Sequence, residues 1–285
     1  MESKKSIRLI ATDMDGTLLD DKKQFPPDLS EIVARLEEQG IHFTAASGRS
    51  YASQIQSFTQ LLGKETAEKM DYICDNGAFI VEGGKVVTIH KMDWDFLREL
   101  LKACEGIPDI MILFCGVNGT YHLPYTPIFE KKAHSYYVNN VEVQDLSTVD
   151  DDIFKVAICD LRGPQNNIYP ALAPLFGETM GLQISGPEWM DVMNPGINKG
   201  GALKDLQERL NVSFEETMAF GDFFNDIGLL ENAGCSFVMA NSHPDMLPKG
   251  RYVAKSNVEY GVTDAIRRYV LDGEPYPPEN PLFER

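Results

Sequence analysis

Asp13-Met14-Asp15-Gly16-Thr17 places two carboxylates two residues apart, just beyond the apolar run Ile7-Arg8-Leu9-Ile10-Ala11. Like charges this close resist joint ionisation, and burial at a strand end raises the cost. A bound cation, with a proton on one carboxyl, resolves the conflict. One ionised carboxylate beside one protonated carboxyl suits a carboxylate nucleophile working next to an acid/base.

Three further segments set polar residues where chemistry is easily placed: Ser47-Gly48-Arg49, Lys199-Gly200-Gly201, and Gly221-Asp222 with Asn225-Asp226. The elements around them read as alternating strands and helices. Strands are expected over 7–12, 41–46, 72–75, 217–221 and 235–239. Leu29, Ile32, Val33 and Leu36 keep helical spacing within a helix over 27–39 that Gly40 ends, and a second helix covers 51–62. The βαβαβ order predicts an α/β fold with a doubly wound parallel sheet, Rossmann-like in its winding. Ligands of such sheets bind at the carboxyl ends of the strands. Three of the polar segments therefore converge there, and Lys199 reaches in from a helix start.

Asn76-Gly77, between Tyr72-Ile73-Cys74 and Phe79-Ile80-Val81, signals a hairpin. From 85 to 187 the rhythm changes to short strands at 110–114, 154–160 and 182–185, with helices near 94–104 and 165–176. An inserted α+β domain over 85–187 is expected, the core being 1–84 and 188–285. Helices over 201–210 and 226–233 restore the parallel rhythm. The tail 273–285 holds four prolines and reads as extended surface chain.

With 285 residues, two domains are the better expectation. No apolar run nears the ~18 residues of a membrane span, and residues 1–6 show no secretory hydrophobic region. The cytoplasm is the expected location. The five cysteines, Cys74, Cys104, Cys115, Cys159 and Cys235, have no CxxC spacing and read as small buried thiols in a reducing compartment. A net charge of −17 argues against nucleic acid and anionic membrane as partners. An anionic substrate must then be held at short range, within a Debye length of ~8 Å, by a local cation and a few bases. Oligomeric state is not encoded legibly; a monomer or weak homodimer is expected.

Taken together, Asp13-Met14-Asp15-Gly16-Thr17-Leu18-Leu19, Ala46-Ser47-Gly48-Arg49, Asp75-Asn76-Gly77-Ala78, Asn198-Lys199-Gly200 and Gly221-Asp222-Phe223-Phe224-Asn225-Asp226 resemble the motifs of the haloacid-dehalogenase-superfamily phosphatases of the Cof type, which carry a type IIB cap. The resemblance implies an Mg2+-dependent phosphatase acting on a small phosphorylated metabolite, sugar phosphates first, through an aspartyl-phosphate. It implies Asp13 as nucleophile and metal ligand, Asp15 as acid/base with its backbone carbonyl on the metal, and Asp222 as the third metal ligand. Ser47, Lys199 and the backbone after Asp13, through Met14, Gly16 and Thr17, are expected to hold phosphoryl oxygens. Gly48, Arg49, Asn76 and Asn225 are candidate substrate contacts, and Asp226 would orient Lys199 or a metal-bound water. Where the family commonly has glycine, this chain has Ala240.

Plainer readings stand beside these. Ser47 can cap the following helix, Asn76-Gly77 can be only a turn, and Arg49 can lie on the surface. Asn225 or Asp226 can cap a helix. His42, His90, His122, His134 and His243 show no metal-site spacing and read as structural or exposed. The interval from Asp13 to Ser47 holds one helix and one strand, whereas Ser47 to Lys199 is far longer than a βα connection, so the insert must lie there. The stretches 121–125 and 131–137, rich in Tyr, His and Lys, are a candidate substrate-reading surface or the wet face of an ordinary helix. A phosphomutase of the phosphomannomutase type and a non-catalytic metabolite-binding protein are the competing functions.

Overall fold

A computed structural model describes residues 6–284. The leading residues 1–5, on which part of the leader reading falls, Arg285, and the side chains of Ser135 and Tyr136 lie outside the described residues. The chain forms two compact units, one of residues 1–87 with 198–285 and one of residues 88–197.

The first unit opens with β1 (Leu9–Thr12), α1 (Leu29–Glu38), β2 (His42–Ala46), α2 (Tyr51–Leu62), the short α3 (Lys64–Lys69) and β3 (Asp71–Cys74). Every residue of β1 is buried, as a strand covered on both faces must be. Leu9 and Ala11 pack with Leu203, Leu206, Leu229 and Leu230. The apolar stripe of α1 buries Leu29, Ile32, Val33 and Leu36, each worth roughly 1.5–3 kcal/mol on transfer from water. The charged Lys64-Glu65-Thr66-Ala67-Glu68-Lys69 segment carries little periodicity, so α3 was not expected from the sequence. A turn at Asp75–Gly77, with Asn76 at φ 56° and Gly77 at φ 103°, reverses the chain into β4 (Phe79–Glu82), antiparallel to β3. β5 (Lys85–Ile89) lies beside β4 at the sheet edge.

The second unit contains α4 (Trp94–Cys104), β6 (Ile110–Gly116), β7 (Thr120–His122), α5 (Pro127–Tyr136), β8 (Asn140–Glu142), β9 (Ile153–Asp160), α6 (Ile168–Phe176), β10 (Gly181–Gly186) and β11 (Trp189–Met193). Its six strands run in the order β10-β11-β9-β6-β7-β8. Leu97 and Leu100 of α4 and Ile168, Leu172 and Phe176 of α6 pack on Phe114, Val156, Ile158, Met190 and Val192. Alternate strand residues share a face, so Lys155 and Asp191, both buried, lie on the opposite one.

Both expected domain boundaries move. β11 pairs with β9 and with β10, so its backbone groups are satisfied inside the second unit, which runs on to Ile197 rather than stopping at 187. At the other boundary, the pairing of β5 beside β4 carries the first unit on to Val87.

The first unit resumes with α7 (Lys199–Leu210), β12 (Thr217–Gly221), α8 (Ile227–Glu231), β13 (Cys235–Met239), β14 (Tyr252–Ala254) and α9 (Gly261–Ile266). The eight strands run β14-β13-β12-β1-β2-β3-β4-β5. Thus β1 has β2 on one side and β12 on the other, all parallel. The winding reverses between β1 and β12, where open α/β sheets leave a crevice at their carboxyl ends. The tail beyond Gly273 is irregular but anchored: buried Asn280 donates through Nδ2 to the carbonyls of Leu247 at 2.7 Å and Gly250 at 3.0 Å. All five cysteines are buried, and none is joined in a disulfide among the described residues.

Candidate active site

The loops after β1 and β12 meet at this reversal. Residue 12 pairs with 220 across the two strands, so Asp13 and Asp222 emerge from neighbouring strand ends. The Thr17 hydroxyl donates to Asp222 Oδ1 at 2.7 Å. Gly16 takes φ 88°, and a Cβ there would come within 2.5 Å of Asp222 Oδ2. Glycine therefore permits the turn and keeps that oxygen accessible.

Lys199 stands at the start of α7 with its side chain fully buried, and its Nζ donates to Asp13 Oδ1 and to Asp226 Oδ1, each at 2.6 Å. Burial acts to lower the ammonium pKa, but the two carboxylates outweigh it and raise it. Burial pushes the Asp13 carboxyl well up against the pull of Lys199, with Asp226 and Asp222 adding to the rise. Asp226 is fully used within the protein: its Oδ2 accepts the backbone N–H groups of Asp222 at 3.0 Å and Phe223 at 3.2 Å. The close seating of α7 on α8 fixes Lys199; a Cβ on Gly200 would lie 2.4 Å from the Gly228 carbonyl oxygen.

Arg49 follows β2 and grips Asp15 with a two-point fork, Nε to Oδ2 at 2.7 Å and Nη2 to Oδ1 at 2.6 Å. Lys23 Nζ adds a third contact at 2.7 Å. Burial alone would raise the Asp15 pKa, but Arg49 and Lys23 outweigh it and hold it below the usual carboxylate range. The two aspartates that open the motif thus respond to their surroundings in opposite directions.

The remaining sequence-predicted residues share this end of the sheet. Buried Ser47 accepts the Arg49 N–H on its Oγ at 3.1 Å, while the cap of α2 is Ser50. Ser47 is therefore not the helix cap. Gly48 packs beside Asn76; a Cβ there would sit 3.2 Å from the Asn76 amide nitrogen. Asn225 donates to Asn76 Oδ1 at 3.1 Å, joining the β12 and β3 loops. The Met14 side chain is fully buried, which leaves the side chain no access to a ligand. Three residues were not picked out from the sequence. Lys23 holds Asp15, Asn241 donates to the Gly16 carbonyl at 2.8 Å, and Asn257 donates to the Leu19 carbonyl at 3.0 Å. Each supports the β1 loop from far along the chain or from an unremarkable turn, where residue type alone gives no signal.

A family model described as haloacid dehalogenase-like hydrolase matches residues 10–266. The chain belongs to the haloacid dehalogenase-like hydrolases. The 5-amino-6-(5-phospho-D-ribitylamino)uracil phosphatase YbjI of Escherichia coli is 30% identical over 275 residues, spanning 95% of this chain and 99% of that one. The crystal structure of SMU.1108c from Streptococcus mutans superposes with a TM-score of 0.80 at 27% identity, covering 93% of this chain and all of the other. A sugar phosphatase of subclass IIB, BT4131, shares the fold with a TM-score of 0.75 at 19% identity, over 92% and 98% of the two chains. As a haloacid dehalogenase-like hydrolase, the protein is an enzyme acting on phosphate monoesters.

Hydrolases of this family generally use a divalent cation, and the residues here fit one. Oxygens of Asp13, Asp222 and Asp226 lie within 4.8 Å of one another. Three carboxylates face one ammonium, leaving two negative charges if all are ionised. Burial pushes Asp222 up to about 6 despite the Thr17 hydroxyl, and the neighbouring Asp226 adds to the rise. Asp226 is committed to Lys199 and two amides, whereas Asp13 and Asp222 give only their Oδ1 atoms to the protein contacts described. Their Oδ2 atoms suit a hard cation.

In the second unit of this hydrolase, much of the aromatic and basic stretch is engaged internally. Tyr125 stacks on His122 with ring centroids 3.8 Å apart, the Tyr121 hydroxyl donates to Asp151 at 3.0 Å, and Lys132 pairs with Glu188. Among the described residues, no helix is long and apolar enough to cross a membrane.

Proposed function

We propose that this hydrolase is an Mg2+-dependent phosphatase of small phosphorylated metabolites, sugar phosphates foremost, working through an aspartyl-phosphate on Asp13. The observation that carries the reading is the buried ammonium of Lys199 shared between Asp13 and Asp226, next to Asp222. A structural ion pair needs one carboxylate; this arrangement holds three around one cation.

Phosphate monoesters hydrolyse so slowly that enzymes lower the barrier by more than ~20 kcal/mol. An Asp13 oxygen attacks phosphorus in line, and the bond to the leaving oxygen breaks as Asp15 gives that oxygen a proton. Asp15 then takes a proton from water; the resulting hydroxide attacks phosphorus, the P–O bond to Asp13 breaks, and phosphate leaves. Lys199 keeps Asp13 oriented and, with Ser47 and the amides after Asp13, offsets charge on the phosphoryl oxygens. Bound Mg2+ would be held by Asp13, Asp222 and the Asp15 carbonyl, and supplies positive charge against the transferring group.

The Arg49 fork gives Asp15 a prior state to leave. Ionised Asp15 has no proton to donate. A substrate phosphate competes for the same guanidinium, since bidentate Arg binds carboxylate and phosphate alike. Transfer of Arg49 to the phosphate lets Asp15 take up its proton as substrate arrives.

Purified protein with Mg2+ should release inorganic phosphate from members of a panel of sugar phosphates, nucleotides and phosphorylated vitamins. The name of the E. coli relative supports including uracil-bearing esters. Silence across the panel would sink the proposal, and so would near-normal turnover by Asp13→Asn.

A further inference from the structure

Phe223 and Phe224 occupy the two positions after Asp222, and both are exposed, at 55% and 44%. Single exposed apolar residues are ordinary; two adjacent aromatics on the loop of a catalytic carboxylate are not. Their rings meet edge to face with centroids 5.0 Å apart at 66°. The His243 ring, from the loop after β13, lies 5.3 Å from Phe224 at 50°. Three rings from two loops thus form one ledge at the carboxyl end of the sheet.

The backbone makes no demand for these residues. Phe223 sits at φ −129° and ψ 170°, extended geometry open to any residue, and small polar residues would fill such a turn at no cost. Exposed phenyl rings keep apolar area in water, at roughly 25 cal/mol per Å2. The ledge is nonetheless firmly placed. The Phe223 N–H donates to Asp226 Oδ2 at 3.2 Å, and its carbonyl accepts the Asp226 N–H at 2.8 Å. The carboxylate that holds Lys199 therefore also sets the rings. Consecutive Cα atoms lie about 3.8 Å apart, so the first ring begins one residue from a proposed metal ligand.

We propose that Phe223, Phe224 and His243 are specificity-determining residues that stack a planar, unsaturated ring in the leaving group of the substrate. This rests on the phosphatase reading and narrows it to phosphate monoesters whose alcohol carries a ring joined by a short linker. The occupant follows from continuity: a group esterified to a phosphate held at Asp13 and Asp222 extends beside the residue next to Asp222. Aromatic faces stack on any flat π system with little demand on its edge pattern.

The test is steady-state kinetics of the full chain with Mg2+ on matched esters: riboflavin 5′-phosphate against D-ribitol 5-phosphate, and uridine 5′-monophosphate against ribose 5-phosphate. Within each pair the phosphate and the chain or sugar are shared and the ring differs. The wild type should favour the ring-bearing ester in at least one pair. In Phe223→Leu/Phe224→Leu, which keeps apolar bulk but removes the π faces, that preference should fall about tenfold, chiefly through KM. Phe224→Tyr should retain it. Equal losses on both members of a pair, or no loss in the Leu variant, overturn the proposal in favour of a packing role or another occupant.

Failure of the phosphatase reading looks different, since no ester would release phosphate. Equilibrium binding then decides. Quenching of flavin fluorescence by the wild type but not by the double variant supports the ledge; no quenching, or equal quenching, overturns it.

Discussion

The Arg49 guanidinium covers both oxygens of Asp15, at 2.7 Å and 2.6 Å, so the proposed acid/base is held ionised by a residue expected from the sequence to meet the substrate. Removing the fork should raise the Asp15 pKa. In Arg49→Met the alkaline limb of the kcat/KM profile should therefore move to higher pH, because a protonated Asp15 persists further. A charge-assisted contact to phosphate is also lost, so kcat/KM should fall about tenfold to a hundredfold. An unmoved limb would separate Arg49 from the proton step.

Lys199 is the only described cation bonded to both Asp13 and Asp226. Lys199→Met should destabilise the protein by about 3–5 kcal/mol in urea denaturation, since it strands buried carboxylates. Asp226→Asn should be milder in stability but should still impair turnover, because the lysine loses one of its two anchors. Equal stability of wild type and Lys199→Met would show that the buried triad is not under the charge tension described.

Metal should relieve that tension. Mg2+ at a hundred times its dissociation constant should stabilise the fold by about 2.7 kcal/mol, read as a rise in Tm, and Asp222→Asn should remove most of the rise. With its folded pKa at about 6, above its ordinary 3.8, Asp222 binds more protons folded than unfolded. The metal-free protein should consequently gain stability as pH falls through 6, while the Mg2+-dependent rise in Tm fades over the same interval.

A second titrating pair lies at the opposite end of β2. His42 Nδ1 is 2.9 Å from Asp71 Oδ2, and this hydrogen bond raises the imidazole pKa against partial burial. The stability it contributes is fully present below the unfolded value of about 6.5 and is lost as pH rises through the folded value. Denaturation midpoints of wild type and His42→Asn should therefore differ most at acidic pH and converge under alkaline conditions. NMR should find the His42 titration above the unfolded value.

Much of this was legible because burial and chemistry occupy different residues. Leu9-Ile10-Ala11 announces a strand, and Asp13, Ser47 and Asp222 follow strands closely enough to share one sheet end. What escaped depends on proximity that no local pattern encodes. Asn257 reaches the Leu19 carbonyl across 238 positions. β11 carries the buried Asp191 within Trp189-Met190-Asp191-Val192-Met193, and its partners on either side decided which unit it joined. β7, β8 and β14 span three residues each, too few for an alternating pattern to emerge. Arg49 was legible as a functional residue, but its grip on Asp15 was not, since a guanidinium fork suits carboxylate and phosphate equally.

The parallel pairing of β1 with β12 also fixes when catalysis becomes available. Lys199 meets Asp13 across 186 positions and Thr17 meets Asp222 across 205. During synthesis the opening motif leaves the ribosome long before its counterparts. A nascent chain therefore carries a harmless pair of aspartates until the segment through Asp226 has emerged and added its strand, and only then can the carboxylates and their lysine meet.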